Sequence, residues 1–147
     1  MQSHYARLAI NLALSAIVMY LVMFAMIDTF GEFYNNLNMF YMTLMMVAPM
    51  GALMLVLMGS MYRDRRLNLI LYACFAGLFV LGTVGTRAQV GIGDRQFLRS
   101  MIPHHSGAIL MCRQASITDP EIVALCGHIR QSQREEIDQM KRILERY

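Results

Sequence analysis

Three long stretches of the chain carry no formal charge. Asp, Glu, Lys and Arg are all missing between Leu8 and Ile27, between Leu37 and Met61, and between Leu67 and Thr86. A helix rises about 1.5 Å per residue, so ~20 residues cross a hydrocarbon core of roughly 30 Å. Each stretch reaches that length, and the pattern predicts transmembrane helices at about 8–27, 37–61 and 67–86. The first run is longer than the apolar core of a cleaved leader, and no A-x-A-like site follows it. It reads as a retained anchor.

Beyond Arg87 the periodicity changes. Gly91, Ile92 and Gly93 form a joint, and Asp94 is placed to cap a new helix. Phe97, Leu98, Met101, His104, His105, Ala108, Leu110, Met111 and Ala115 then recur at helical spacing. Thr118-Asp119-Pro120-Glu121 is a turn and a helix start, and a second helix runs from about Pro120 to Arg146. Its inward stripe reads Ile122, Cys126, Ile129, Gln133, Glu136 and Met140, with Ile137 and Leu144 beside it. The prediction is an all-α chain: a membrane anchor over residues 1–87 and an antiparallel helical hairpin over 88–147.

The short turn sets a register in which numbers summing to about 237 lie level. Met101 then meets Glu136, His104 meets Gln133, Ala108 meets Ile129, and Cys112 meets Cys126, with Asp94 and Phe97 near Met140. Two helices cannot enclose a core alone. The expectation is therefore a homodimer in which two hairpins form a four-helix bundle; a monomer would need the hairpin to lie against its own anchor.

Composition sharpens this picture in two places. The chain is 56% apolar and 16% charged, with fifteen Met and no Trp, and its net charge of +3 is sorted by region. His4 and Arg7 precede the first apolar run; Asp28 and Glu32 stand in the first loop without a basic residue; Arg63, Arg65 and Arg66 crowd the second. By the positive-inside rule the N-terminus and second loop are cytoplasmic. The hairpin is then extracytoplasmic, which in a bacterium means the periplasmic side of the inner membrane. Cys74 falls within the third apolar run and reads as a packing residue. For Cys112 and Cys126 a disulfide, a soft-metal pair and simple packing all stay open.

One stretch resembles a known family. Asp94-x-x-Phe97-Leu98-x-x-Met101-Ile102-Pro103-His104-His105-x-x-Ala108-Ile109-x-Met111 resembles the first helix of domain of unknown function 305. Asp119-Pro120-Glu121-Ile122, followed by Ile129-x-x-x-Gln133-x-x-Glu136-Ile137-x-x-Met140, resembles its second. The resemblance implies a ferritin-like helical bundle, usually exported, in a family with several members linked to copper or silver binding and tolerance and no generally established enzymatic activity. Many members carry two hairpins, and this chain carries one. Ser106 stands where Gln is frequent, and Cys112, Cys126 and His128 lie outside the shared pattern.

The candidate chemistry is that of a soft metal. Met101, His104, His105 and Met111 lie along one helix and face Met140 on the other, and thioether with imidazole suits Cu(I) and Ag(I). Zinc sites recruit Cys, His and carboxylate instead. Glu136 and Gln133 fit a role in orienting the imidazoles, and Glu136 also suits direct ligation of an oxidised copper ion. Pro103 removes a backbone donor and its ring crowds the Arg99 carbonyl, so a kink is expected. The bland reading is that Met fills core gaps and that a helical His is a hydrogen-bonded or surface group. A second Met series faces across the first two apolar helices, with Met26, Met23 and Met19 opposite Met39, Met42 and Met46. It is either a path for a soft cation or flexible packing.

The leading expectation is a membrane-anchored copper-binding protein, exchanging metal with a copper donor or acceptor. The alternative is a structural module whose bundle drives oligomerisation. The exported helices lack the Glu-x-x-His motif of di-iron enzymes, so no enzyme is expected. Scattered Arg residues give no nucleic-acid surface.

Overall fold

Five α-helices follow one another in the computed structural model, which describes residues 2–147: α1 (Gln2–Val22), α2 (Leu37–Leu57), α3 (Arg65–Arg87), α4 (Asp94–Gln114) and α5 (Pro120–Leu144). Two short 3-10 turns, Met23–Met26 and Phe30–Glu32, occupy the first connection. The chain divides into two units. One holds the residues up to Val22 and Asn38–Gly91; the other holds Met23–Leu37 and Ile92–Tyr147.

In the first unit, α2 and α3 approach through glycine. A Cβ on Gly82 would lie 2.7 Å from the Tyr41 carbonyl oxygen, and one on Gly85 would strike the Tyr41 ring. Gly51 returns the favour from α2, where Phe75 fills the space a side chain would need. Small residues at such crossings let dispersion contacts replace a hydrophobic drive, as packing within lipid requires. Leu8, Ala48, Leu55, Tyr62 and Phe75 form the buried cluster. Asp64 caps α3 by accepting from the Leu67 amide at 3.0 Å. Leu14, Leu21, Leu53, Leu57, Leu69 and Val80 point outward. Three helical spans, His4–Met26, Leu37–Leu57 and Arg65–Arg87, are long and apolar enough to cross a membrane.

Four details differ from the sequence reading. The first α-helix stops at Val22, because Met23–Met26 tighten into a 3-10 turn. The second stops at Leu57; Met58 to Met61 form a turn closed by the Met61 amide on the Met58 carbonyl. Cys74 is exposed on α3 and is no packing residue of the unit. Met42 and Met46 are likewise exposed on α2, away from the unit's buried cluster.

In the second unit, α4 and α5 make the expected antiparallel hairpin. Asp119 caps α5, accepting from the amides of Glu121 and Ile122, with Pro120 at the first helical position. The seam is apolar: Leu98, Ile102 and Ile109 pack on Ile137 and Met140. Ile102 and Ile137 have no solvent contact, and burying each stabilises the pair by about 1.5–3 kcal/mol. Near the turn Cys112 and Cys126 are joined in a disulfide, with Cα atoms 5.2 Å apart. The register is as expected there but is off by a turn further on: His105, rather than Met101, meets Glu136, and at the open end Tyr147 donates to Asp94. Buried positions on α5 are accordingly Ile137 and Met140, whereas Ile122 is exposed.

The connection before α2 is not a free loop. Tyr34 packs on the seam. α4 runs on through Pro103, which cannot donate to the Arg99 carbonyl four residues earlier. The Asn36 side-chain amide donates to that carbonyl instead, at 3.4 Å. Gln96 accepts from the Leu37 amide at 3.2 Å. Met23–Leu37 thus form a third layer on the hairpin within a single chain, where two layers alone left a face open.

Candidate functional site

The seam has two flanks, and different chemistry lies on each. Helical geometry of 3.6 residues per turn places Ser106 and Arg113 to one side of Ile102 and places Met101 and His105 to the other. On α5, Arg134 and Lys141 lie to one side of Ile137, with Glu136 and Met140 to the other.

The first flank is where Met23–Leu37 dock. The Ser106 hydroxyl accepts from the Asp28 amide at 2.6 Å and donates to the Glu32 carboxylate. Arg134 donates to Glu32 and, at 3.1 Å, to Asp28. Asp28 also pairs with Arg113 at 2.9 Å, and Lys141 stands 3.9 Å from Glu32. Each of the two carboxylates therefore touches both helices. Glu32 and Ser106 have no solvent contact. Burial pushes the Glu32 carboxyl up, but hydrogen bonds from Ser106 and Arg134 and the charges of Arg134 and Lys141 outweigh it. The net result lies below the ordinary value of 4.5.

The second flank carries the sequence-predicted donors. His105 is buried, and both its ring nitrogens have partners: Nδ1 lies 2.9 Å from the Met101 carbonyl oxygen, and Nε2 lies 2.7 Å from Glu136 Oε2. A neutral imidazole has one N–H, whereas a backbone carbonyl and a carboxylate are both acceptors. One N–H can serve only one of them, and serving both takes a second proton shared between the imidazole and the Glu136 carboxylate. With Nδ1 committed to the backbone, that shared position lies at Nε2. The Glu136 side chain is 52% exposed, so the position opens to solvent.

Met101 and Met140 stand one turn away toward the open end, four residues before His105 and four after Glu136. Met101 packs against the cluster that contains Met140. Met101, His105, Glu136 and Met140 thus share one flank. His104 and Met111 do not share its burial: His104 is exposed, its ring edge toward His105 with centroids 6.1 Å apart, and Met111 is 61% exposed. Among the described residues no three His, Cys, Asp or Glu side chains gather as a metal set. A metal on this hairpin would have to draw on thioethers as well. An imidazole, two thioethers and a carboxylate fit a soft monovalent ion and fit zinc poorly.

Sequence reasoning missed the whole first flank. Asp28 and Glu32 look like ordinary solvated loop acids, and Ser106 reads as a neutral helix position. One signal was available: the Arg99 carbonyl freed by Pro103 needs a donor from outside α4.

Comparison with known proteins places the hairpin in a described family. The family model described as domain of unknown function (DUF305) matches residues 86–144. The chain is 35% identical over 120 residues to Uncharacterized protein L153 of Acanthamoeba polyphaga mimivirus, a match covering 80% of this chain and 77% of that protein. The matched length exceeds the domain, so the similarity reaches into the apolar helices. No solved structure matches the chain. On a relative of that identity and coverage, and on the domain found over α4 and α5, the chain belongs to the DUF305 family.

Proposed function

We propose that the protein is a membrane-anchored, extracytoplasmic binder of a soft monovalent cation, Cu(I) or Ag(I), acting in copper handling rather than catalysis. The observation that carries this reading is the 2.7 Å contact of His105 Nε2 with Glu136 Oε2, on the flank that also holds Met101 and Met140. A monovalent ion replacing the shared proton leaves the net charge of the pair unchanged. The Met101 carbonyl holds the imidazole by Nδ1, the arrangement in which a backbone oxygen fixes the tautomer of a metal-binding histidine. When bound, the ion would be held by Met101, His105, Met140 and Glu136. His104 and Met111, on the exposed face, are suited to delivering it from a donor protein.

Two observations support the compartment. The Cys112–Cys126 disulfide suits an oxidising space such as the bacterial periplasm. Asp28 and Glu32 touch Arg113 and Arg134, which supports a first connection and a hairpin on the same side, as three crossings of an inner membrane from a cytoplasmic N-terminus require.

The test is a competition titration of the detergent-solubilised full chain against a chromophoric Cu(I) chelator. Met101→Ala, His105→Ala and Met140→Ala should each weaken binding by about tenfold or more, on the scale of losing a group that holds the metal site. His104→Ala should leave it near the wild-type value. Unchanged affinity in the His105 variant rejects the reading.

A second reading, an interaction module assembling as a homodimer without metal, draws on the complete partnering of His105 within one chain. It expects Ag(I) to leave the melting temperature unmoved and native mass spectrometry to report a metal-free dimer.

A further inference from the structure

Glu32, in the connection between α1 and α2, bears on the His105–Glu136 pair through the two helices it bonds. Glu32 lies on the opposite flank of the seam, bonded to Ser106 of α4 and to Arg134 of α5. Ser106 is the next residue after His105, and Arg134 is two before Glu136. Between the flanks lie Ile102 and Ile137, both without solvent contact. A close-packed seam transmits a change in spacing from one edge to the other, because interiors have no free volume to absorb it. Hydrogen bonds of Glu32 to both helices therefore fix how far apart their opposite edges stand.

We propose that Glu32 is a positioning residue for the His105–Glu136 pair, with Ser106 and Arg134 as its contacts on the two helices. Asp28 reinforces the same span through Arg113 and Arg134. The connection between two apolar helices thereby becomes part of the site, and releasing it lets Glu136 move away from Nε2. The inference rests on the same pair as the proposed cation site but requires no metal.

The experiment is nitrogen NMR of the full chain in detergent, metal-free, with ¹⁵N-labelled histidine and the His105 signals assigned from their loss in His105→Gln. Wild type should show an Nε2 proton held in a strong hydrogen bond and slow to exchange. Glu32→Gln keeps the shape but loses the charge that holds Arg134, and should convert the His105 Nε2 signal to that of a solvent-exchanging imidazole. Glu32→Asp retains the charge yet falls one methylene short of spanning both helices, and should do the same. Circular dichroism reports whether each variant keeps its helices. If Glu32→Gln does not fold, Ser106→Ala, which removes one hydroxyl, takes its place. Wild-type His105 signals in a folded Glu32→Gln, or in Ser106→Ala, overturn the proposal.

Titrating the same samples with Ag(I) separates the two readings. If Ag(I) leaves wild-type His105 unmoved while Glu32→Gln alters its metal-free signals, the positioning role stands and the cation site falls. If both hold, Glu32→Gln should weaken Ag(I) binding by about 10-fold to 100-fold.

Discussion

In the unit of α1, α2 and α3, helices are matched by shape; in the unit of α4, α5 and the first connection, they are held by charge. The first puts glycines at Gly51, Gly82 and Gly85 against aromatic rings and backbone, and turns leucine and valine outward. The second buries a carboxylate, bonds it to both helices and closes the far end with a disulfide. The difference follows from the solvent each unit meets. Between apolar helices in lipid, close approach is the available attraction. A two-helix hairpin in water has too little core, so polar links that fix geometry supply what burial cannot.

The charged link in the second unit fails most severely when Glu32 loses its main partner. Arg134→Ala should destabilise the second unit by about 3 kcal/mol, the low end for an orphaned buried charge, because Ser106 and Lys141 remain beside the carboxylate. Chemical denaturation followed by a fluorophore on α5 measures it, and the first unit should be unaffected. The lowered Glu32 value gives the same link a pH signature. Its contribution is fully present above 4.5 and is lost as pH falls through the lower folded value, so acid should loosen the second unit first. In Glu32→Gln this part of the acid transition should vanish.

A comparable loss should follow reduction of the Cys112–Cys126 bridge. Its ends are 14 residues apart in sequence, and a loop of about that size is worth roughly 3 kcal/mol in chain entropy. The expected readout is a fall in melting temperature on adding reductant that Cys112→Ser abolishes. A melting temperature indifferent to reductant would remove the staple from the account of the hairpin.

The smallest effect belongs to the first unit. In Gly82→Ala the new Cβ meets backbone oxygen, so α2 and α3 must separate, at a cost of about 1–3 kcal/mol. Resistance to unfolding in mixed detergents should drop, while the second unit keeps its acid transition. Equal sensitivity of both units to this change would deny that they are held by different means.

Much of this was legible in the chain. Charge-free runs and helical periodicity located five helices, and the Asp119-Pro120 start is a local signal that needs no tertiary knowledge. The level of Cys112 with Cys126 followed from turn length, whereas from His105 and Glu136 onward the register slipped by a turn because spacing errors accumulate away from the turn. His104 and His105 illustrate the limit: adjacent helical residues point about 100° apart, and only the seam decides which of them is buried. The docking of Asp28 and Glu32 was illegible because their hydrogen-bond partners lie 74 to 106 residues away, and two acids in a short loop are ordinarily solvated.

The interleaving of the two units has a consequence for biosynthesis. Asp28 leaves the ribosome 106 residues ahead of Arg134, so at about 5–20 residues per second its guanidinium arrives roughly 5 to 20 s later. In that interval α2 and α3 are made. A nascent chain halted before α4 would present both acids to water, and only the finished polypeptide can draw them in.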